Sequence, residues 1–242
     1  MSGSSTPSSG RVVLVSGANR GIGRVIAERL AGAGYSLSLG ARNPGALEPV
    51  LQDMDPARIC RHRYDAQGPE SAESWVRTTV EQFGRLDALI NNAAVFHRYS
   101  VDDGDMALLD EMWEVNVKGP LRLFQAAFPY LKAAGCGRVI NIVSLSGKRL
   151  KSAGAAGYGM TKHAVAAFTH GVRLTGWEHG IRATAICPGY VNTEMSRNLS
   201  HLAIEEMTQP QSVAELVEIV LCLPNNASVA EIPVNCVLEP GY

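Results

Sequence analysis

Val12-Val13-Leu14-Val15-Ser16-Gly17-Ala18-Asn19-Arg20-Gly21-Ile22-Gly23 is the stretch that decides the fold. Apolar, strand-favouring residues run into a glycine-rich turn, and beyond it apolar positions recur at three and four through Ile22 to Ala33. A strand that turns directly into a helix presents the helix's first N–H groups at the turn, where they attract an anionic phosphate. A Cβ at Gly17 or Gly21 would obstruct the turn or the phosphate, and Gly23 lets the helix pack tightly on the sheet. Asn19, Arg20 and Ile22 complete this candidate dinucleotide-binding loop. Its spacing is G-x-x-x-G-x-G, unlike the commoner G-x-G-x-x-G, but its place after a first strand gives the glycines the same task.

Working outward, short apolar runs alternate with helix-period segments. The runs are Val12 to Val15, Leu37 to Leu39, Ile59 to Tyr64, Ala88 to Ile90, Val139 to Val143, Ala183 to Ile186 and Ile232 to Val237. Helices are expected over Ile22 to Ala33, Glu70 to Phe83, Met106 to Ala133, Tyr158 to Glu178 and Ser212 to Leu221. Pro44, Pro49 and Pro56 limit any helix between Asn43 and Ala57 to a short piece. Such alternation predicts an α/β fold, a Rossmann-type doubly wound parallel sheet of about seven strands with helices on both faces. Met1 to Gly10, rich in Ser, Gly and Pro, reads as a disordered tail. Residues 11–242 read as a single domain.

The 242 residues are 46% hydrophobic and 19% charged, enough to bury a substantial core. A formal net charge of -1 gives no global reason to bind nucleic acid or an anionic membrane, so a small-molecule partner is expected. Five cysteines form no C-x-x-C pair and no metal-ligand spacing; they read as reduced, mostly buried thiols, and no metal is expected. The N-terminal run lacks the features of a secretory signal, and no apolar stretch approaches the roughly 20 residues that span a bilayer. A soluble, cytoplasmic protein is expected.

The cofactor type turns on the end of the second strand. NAD sites place a carboxylate there for the ribose hydroxyls, whereas NADP sites need cations for the 2′-phosphate. Here Gly40-Ala41-Arg42-Asn43 carries no carboxylate. Arg42 is the candidate phosphate ligand, with Arg20 approaching from the glycine loop; planar guanidiniums suit a dianionic phosphate. The expected cofactor is NADP(H).

Tyr158 and Lys162, four residues apart at the start of a helix, share one face. A nearby ammonium and an oxidised nicotinamide both favour the phenolate, which would let Tyr158 exchange a proton with a carbonyl or alcohol oxygen while hydride moves. Ser144 ends the buried run Arg138 to Val143, where open α/β sheets present ligands, and can donate to the substrate oxygen. Asn116 lies within a long helical pattern it does not favour. It either redirects helix carbonyls and holds a water beside Lys162, or is a core asparagine bonded to backbone.

With these residues in place, the chain closely resembles the short-chain dehydrogenase/reductase family from Arg11 to about Leu223. Ser16 to Gly23 is similar to its T-G-x-x-x-G-I-G loop, and Asn91-Asn92-Ala93-Ala94 to its N-N-A-G. Asn116, Ser144, Tyr158 and Lys162 match its catalytic tetrad, and Pro188-Gly189-Tyr190-Val191-Asn192-Thr193 its P-G-x-x-x-T segment lining the nicotinamide. The resemblance implies that Asp65, with Ala66, contacts adenine and that Asn92, Ala93, Pro188, Gly189, Val191 and Thr193 line the cofactor. It further implies Tyr158 as acid/base, Ser144 orienting the substrate oxygen, Lys162 binding ribose and lowering the tyrosine pKa, and Asn116 supporting a proton relay. A small carbonyl or alcohol substrate and a homotetramer or homodimer are expected. A catalytically idle NADP-binding regulator on the same fold is the alternative.

Three departures stand out. Ala94 replaces a glycine; the Ser144 to Tyr158 interval is one residue longer than usual, which makes Ser146 a rival; and Val234 to Tyr242 lacks the usual V-D-G-G. Substrate choice is expected from the loops after Ser144 and Asn92 and from Tyr190 to Thr208. Lys148, Arg149 and Lys151 either favour an anionic substrate or are solvated; His97, Arg98 and Tyr99 could reach the site from strand four, with His97 equally readable as an ordinary loop residue. Glu194 to Thr208, with an apolar stripe at helical spacing, reads as a short lid or as a packing surface.

Overall fold

The structure, a computed structural model, describes residues 10–52, 54–197 and 199–239. All but the last residue of the expected N-terminal tail lies outside them. The seven strands are β1 Val12–Ser16, β2 Ser36–Ala41, β3 Ile59–Arg63, β4 Ala88–Asn91, β5 Arg138–Ile142, β6 Arg182–Pro188 and β7 Glu231–Val234. They form one sheet in the order β3-β2-β1-β4-β5-β6-β7, every pairing parallel. The predicted doubly wound sheet is therefore present.

Its two layers follow from the strand period. Val13 and Val15 face a core shared with α1 (Gly21–Gly32), while Val12 and Leu14 face the opposite one. The helices in chain order are α1, the single turn α2 (Glu48–Leu51), α3 (Ser71–Phe83), α4 (Met106–Trp113), α5 (Gly119–Ala133), α6 (Ala156–Gly176), the single turn α7 (Glu194–Arg197) and α8 (Pro210–Cys222). Ile26, Leu30, Val213 and Val217 of α1 and α8 cover one face. Trp75 of α3, Leu123 and Leu131 of α5 and Val172 of α6 cover the other. Strands buried on both faces are continuously apolar, which is why β1 shows no polar alternation.

Two expectations change. The helix expected over Met106 to Ala133 is interrupted by a π-helical turn, Glu114–Lys118, where the Gly119 N–H bonds Glu114 C=O. The extra residue shifts the face that the following turns present, and it falls at Asn116. The stripe in Glu194 to Thr208 does not form one helix. It breaks into α7 and a 3-10 turn, Ile204–Glu206, with Met207 buried and Ile204 exposed.

The strand order reverses between β1 and β4. β1 sends its connection towards β2 and β4 towards β5, so their carboxyl ends diverge and leave a crevice. Among the described residues, no helix is long and apolar enough to cross a membrane, and no cluster of side chains could hold a metal ion. Cys60 and Cys187 are buried thiols; Cys136, Cys222 and Cys236 are only half-buried.

Candidate active site

At the crevice, Gly17 (φ 66°) and Gly21 (φ 56°) adopt the left-handed conformation that disfavours a side chain. A Cβ on Gly23 would stand 2.3 Å from the Gly17 carbonyl oxygen and 2.4 Å from Asn92 Nδ2. The close approach that requires this third glycine is thus to the loop itself. Ser16 and Asn92 lock that loop to the end of β4. The Ser16 hydroxyl accepts from the N–H groups of Asn92 (3.0 Å) and Ala93 (3.1 Å), and Asn92 Nδ2 donates to the carbonyls of Ser16 (3.0 Å) and Gly17 (3.1 Å). The N-terminus of α1 carries no side-chain cap, which leaves its N–H groups facing the cleft.

A cleft of about 480 Å³ runs along the carboxyl ends of the strands. It brings together Gly17, Asn19, Arg20, Gly21 and Ile22 with Arg42, Asp65 and Ala66 at one end, and Ser144, Tyr158 and Lys162 at the other. Asn92, Ala93, Pro188, Gly189, Val191 and Thr193 line it between and beyond them. Gly23 and Asn116 stand behind the wall. The elongated cleft, the uncapped helix and the glycine turn fit a dinucleotide.

The two arginines differ. Arg42 is exposed at the rim and, among the described residues, has no hydrogen-bond or ion-pair partner. Arg20 pairs instead with Glu194, an acid that no local pattern in the sequence marks as its partner. Asp65 accepts from the Gln67 N–H (3.1 Å) and so caps its own turn. Arg122 steadies that turn by donating to the Ala66 carbonyl (3.0 Å). Tyr64 also lines the cleft, packed on Trp75.

Ser144 lies two residues beyond β5 and caps a 3-10 turn, Leu145–Gly147, where its hydroxyl accepts from the Ser146 N–H (3.0 Å). Tyr158 and Lys162 lie in the first two turns of α6, which begins at Ala156. Lys162 is buried, and its Nζ donates to the Ile142 carbonyl (2.9 Å). Burial pulls its pKa down to about 8. Its Nζ is 5.5 Å from the centre of the Tyr158 ring. Burial raises the Tyr158 pKa above that of an ordinary phenol, and the hydrogen-bonding Ser144 hydroxyl only partly offsets this. Burial thus favours the neutral phenol.

Asn116 is wholly committed to protein partners. Its Oδ1 accepts from the Val95 N–H (2.8 Å), and its Nδ2 donates to the Val95 carbonyl (2.9 Å) and to Thr161 Oγ1 (3.2 Å). These are the bonds of the backbone-bonded reading, while the π-helical turn at Asn116 redirects helix carbonyls as the other reading requires. Asn116 ties the strand-four loop to α6 one residue from Lys162.

A second cavity, of about 180 Å³, opens beside the first. Ser144 and Tyr158 line both. Ser146 borders only the second. Phe96 forms part of its wall, its ring meeting that of Tyr158 edge-on at 5.3 Å. Arg98 lines it too, but His97 turns away to Glu111 (2.9 Å) and Tyr99 pairs with Ala155.

The basic loop is neither free nor simply solvated. Lys148 pairs with Glu231. Arg149 makes two bonds of 2.7 Å to Glu239, which Lys151 Nζ (2.7 Å) and Asn235 Nδ2 (2.8 Å) also reach. These donors, Arg149 foremost, hold the Glu239 carboxyl down to about 2. Residues 235–239, in place of a V-D-G-G segment, are thereby strapped over the cavity. Local sequence carries no sign of this, because Glu239 and Arg149 are 90 residues apart.

Comparison with known proteins agrees with this arrangement. Residues 11–203 match the family model described as short chain dehydrogenase. An agropine synthesis reductase of Rhizobium rhizogenes is 41% identical over 231 residues, covering 94% of this chain and 53% of that protein. The chain thus spans about half the length of the curated relatives of that name. An uncharacterized oxidoreductase of Staphylococcus epidermidis is 30% identical, with 93% and 96% covered. Among solved structures, an alcohol dehydrogenase from the archaeon Thermococcus sibiricus, complexed with 5-hydroxy-NADP, superimposes with a TM-score of 0.86 at 30% identity, covering 96% of this chain and 99% of that one. A short-chain dehydrogenase/reductase from Serratia marcescens gives 0.87 at 27%, with 95% and 98% covered. Sheet order, glycine turn and sequence match converge: this chain belongs to the short-chain dehydrogenase/reductase family of oxidoreductases.

Proposed function

We propose that the protein is an NADP(H)-dependent oxidoreductase that interconverts a compact carbonyl compound and its alcohol. The observation that carries this reading is the placing of Ser144 and Tyr158 where the elongated cleft meets the smaller cavity, so that one pair of hydroxyls faces both. When bound, the nicotinamide donates or accepts the hydride. Tyr158 gives its proton to the carbonyl oxygen in reduction and removes it from the alcohol in oxidation. Ser144, at the cleft where Ser146 is not, orients that oxygen. Lys162 fixes the ribose and, with Asn116 behind it, keeps α6 in register with the strand-four loop. With NADPH as the cofactor, reduction is the working direction.

NADP(H) is supported by the carboxylate-free end of β2 and by Arg42, exposed at the rim of the cleft and unpaired among the described residues. An alcohol dehydrogenase of similar fold is complexed with an NADP derivative. Tyr158→Phe tests the chemistry. We expect NADPH oxidation with ketones or aldehydes to fall by about 10²–10⁴-fold while cofactor binding persists. Turnover unaffected by the substitution would refute the assignment. NADPH binding without turnover of any carbonyl, indifferent to Tyr158→Phe, would point to the idle regulator.

A further inference from the structure

Three cations and one carboxylate line the smaller cavity: Arg98, Arg149, Lys151 and Glu239. Glu239 satisfies Arg149 through two bonds and Lys151 through one, so the cluster retains one positive charge beside Ser144 and Tyr158. Arg98 adds a second and, among the described residues, has no hydrogen-bond or ion-pair partner. The remaining wall combines apolar groups such as Phe96 and Leu199 with serine hydroxyls. Arg98 and Lys151 are exposed at the rim of this cavity of about 180 Å³, so solvent and salt partly screen their charges, whereas Arg149 is half-buried.

We infer that the substrate is a small oxo compound carrying a carboxylate, with its carbonyl at Ser144 and Tyr158 and its carboxylate held by Arg98 and by the excess charge of the Arg149–Glu239–Lys151 cluster. This rests on the proposed reading of the site and names the substrate class that reading leaves open. Arg98 is the main specificity-determining residue, because its planar fork is free to pair with a carboxylate. Glu239 acts as an internal competitor that limits the positive charge offered to the ligand and keeps bulkier or doubly charged anions at a disadvantage.

The test uses near-isosteric pairs, 2-oxobutanoate against 2,3-pentanedione and 4-oxopentanoate against 2,5-hexanedione. Each compound is titrated calorimetrically into the protein with and without NADP+, which withholds the hydride and prevents turnover. We expect the better acid to bind about tenfold more tightly than its neutral partner, an advantage that high salt erodes. Arg98→Ala should remove that advantage without changing the dione's affinity. Glu239→Gln, which leaves Arg149 and Lys151 without their carboxylate, should instead strengthen acid binding. Thermal melting checks that both variants fold.

Opposite effects of the two substitutions support recognition of an anion. Equal affinity for acid and dione, preference for the diones, absence of acid binding, or the same loss in both variants for every ligand overturns it. NADP+ binding is read separately in the same cell. Failure of the cofactor reading therefore shows as no NADP+ heat, and failure of the anion reading as no preference for the acids.

Discussion

Gly23→Ala and Gly32→Ala place the same methyl group on the same helix and should have opposite effects. At Gly23 the new Cβ would lie 2.3 Å from the Gly17 carbonyl oxygen, and relief to the 3.0 Å limit of real contacts requires a displacement of about 0.7 Å. Neither neighbour yields easily. The Gly17 carbonyl is backbone in a turn with φ 66°, and Asn92 Nδ2 is committed to two carbonyls. Overpacking of this kind costs about 1–3 kcal/mol, and a strained buried hydrogen bond adds about 1 kcal/mol. A total of about 2–4 kcal/mol lowers Tm by roughly 5–15 °C for a chain of this size. The displaced N–H groups should also weaken NADPH binding by about tenfold, the worth of one good hydrogen bond to a charged group. At Gly32, at the end of α1, an added Cβ meets nothing within 4 Å. Helix propensity then dominates and should stabilise by about 0.5–1 kcal/mol. Calorimetric melting and NADPH titration of both variants decide the matter. Were Gly23→Ala to melt with the wild type and bind NADPH as well, the close approach of helix and loop would not be what fixes this glycine.

Arg42→Asp should lower the ratio of kcat/KM for NADPH over NADH by about tenfold or more, since it replaces the guanidinium at the rim with a ribose-binding carboxylate; an unchanged ratio in steady-state kinetics removes Arg42 from the phosphate site. Lys162, with its pKa drawn from 10.5 down to about 8, is more readily protonated in the unfolded chain, so its contribution to stability rises as pH climbs from about 8 to 10.5. Denaturant titrations should show wild type gaining on Lys162→Met by up to about 3 kcal/mol across that window, and a flat difference would contradict the burial of an ionisable amine. Asn116→Leu strands both backbone groups of Val95, and urea unfolding should register a loss of about 2–4 kcal/mol. A loss of activity at unchanged stability would instead favour a role in proton relay.

The sheet was legible because its signals are local. Apolar runs separated by helix-period segments specify parallel strands wherever they occur, and the glycine turn marks which strand comes first. Ser144, Tyr158 and Lys162 were legible for a related reason: β5 and α6 are consecutive elements, so one short connection brings them together. The interruption between α4 and α5 was not, because a π turn adds one residue without changing the apolar spacing enough to break the pattern. The strap over the cavity was hidden for a different reason. Glu239 meets Arg149 across 90 residues, and an acid that far away carries no mark of its partner.

The same long-range pairing changes how charge near the site must be counted. Along the sequence, Lys148, Arg149 and Lys151 form a block of three positive charges, which suggests either a solvated loop or a strong anion site. After folding, Glu231 takes Lys148, and Glu239 takes Arg149 and Lys151 together. Most of the apparent charge is spent on fastening residues 235–239, and what remains at the cavity is a smaller excess completed by Arg98 from a different loop. Specificity in such a site belongs to the difference between neighbouring charges. Neutralising an acid there therefore alters ligand choice as much as removing a base, and in the opposite sense.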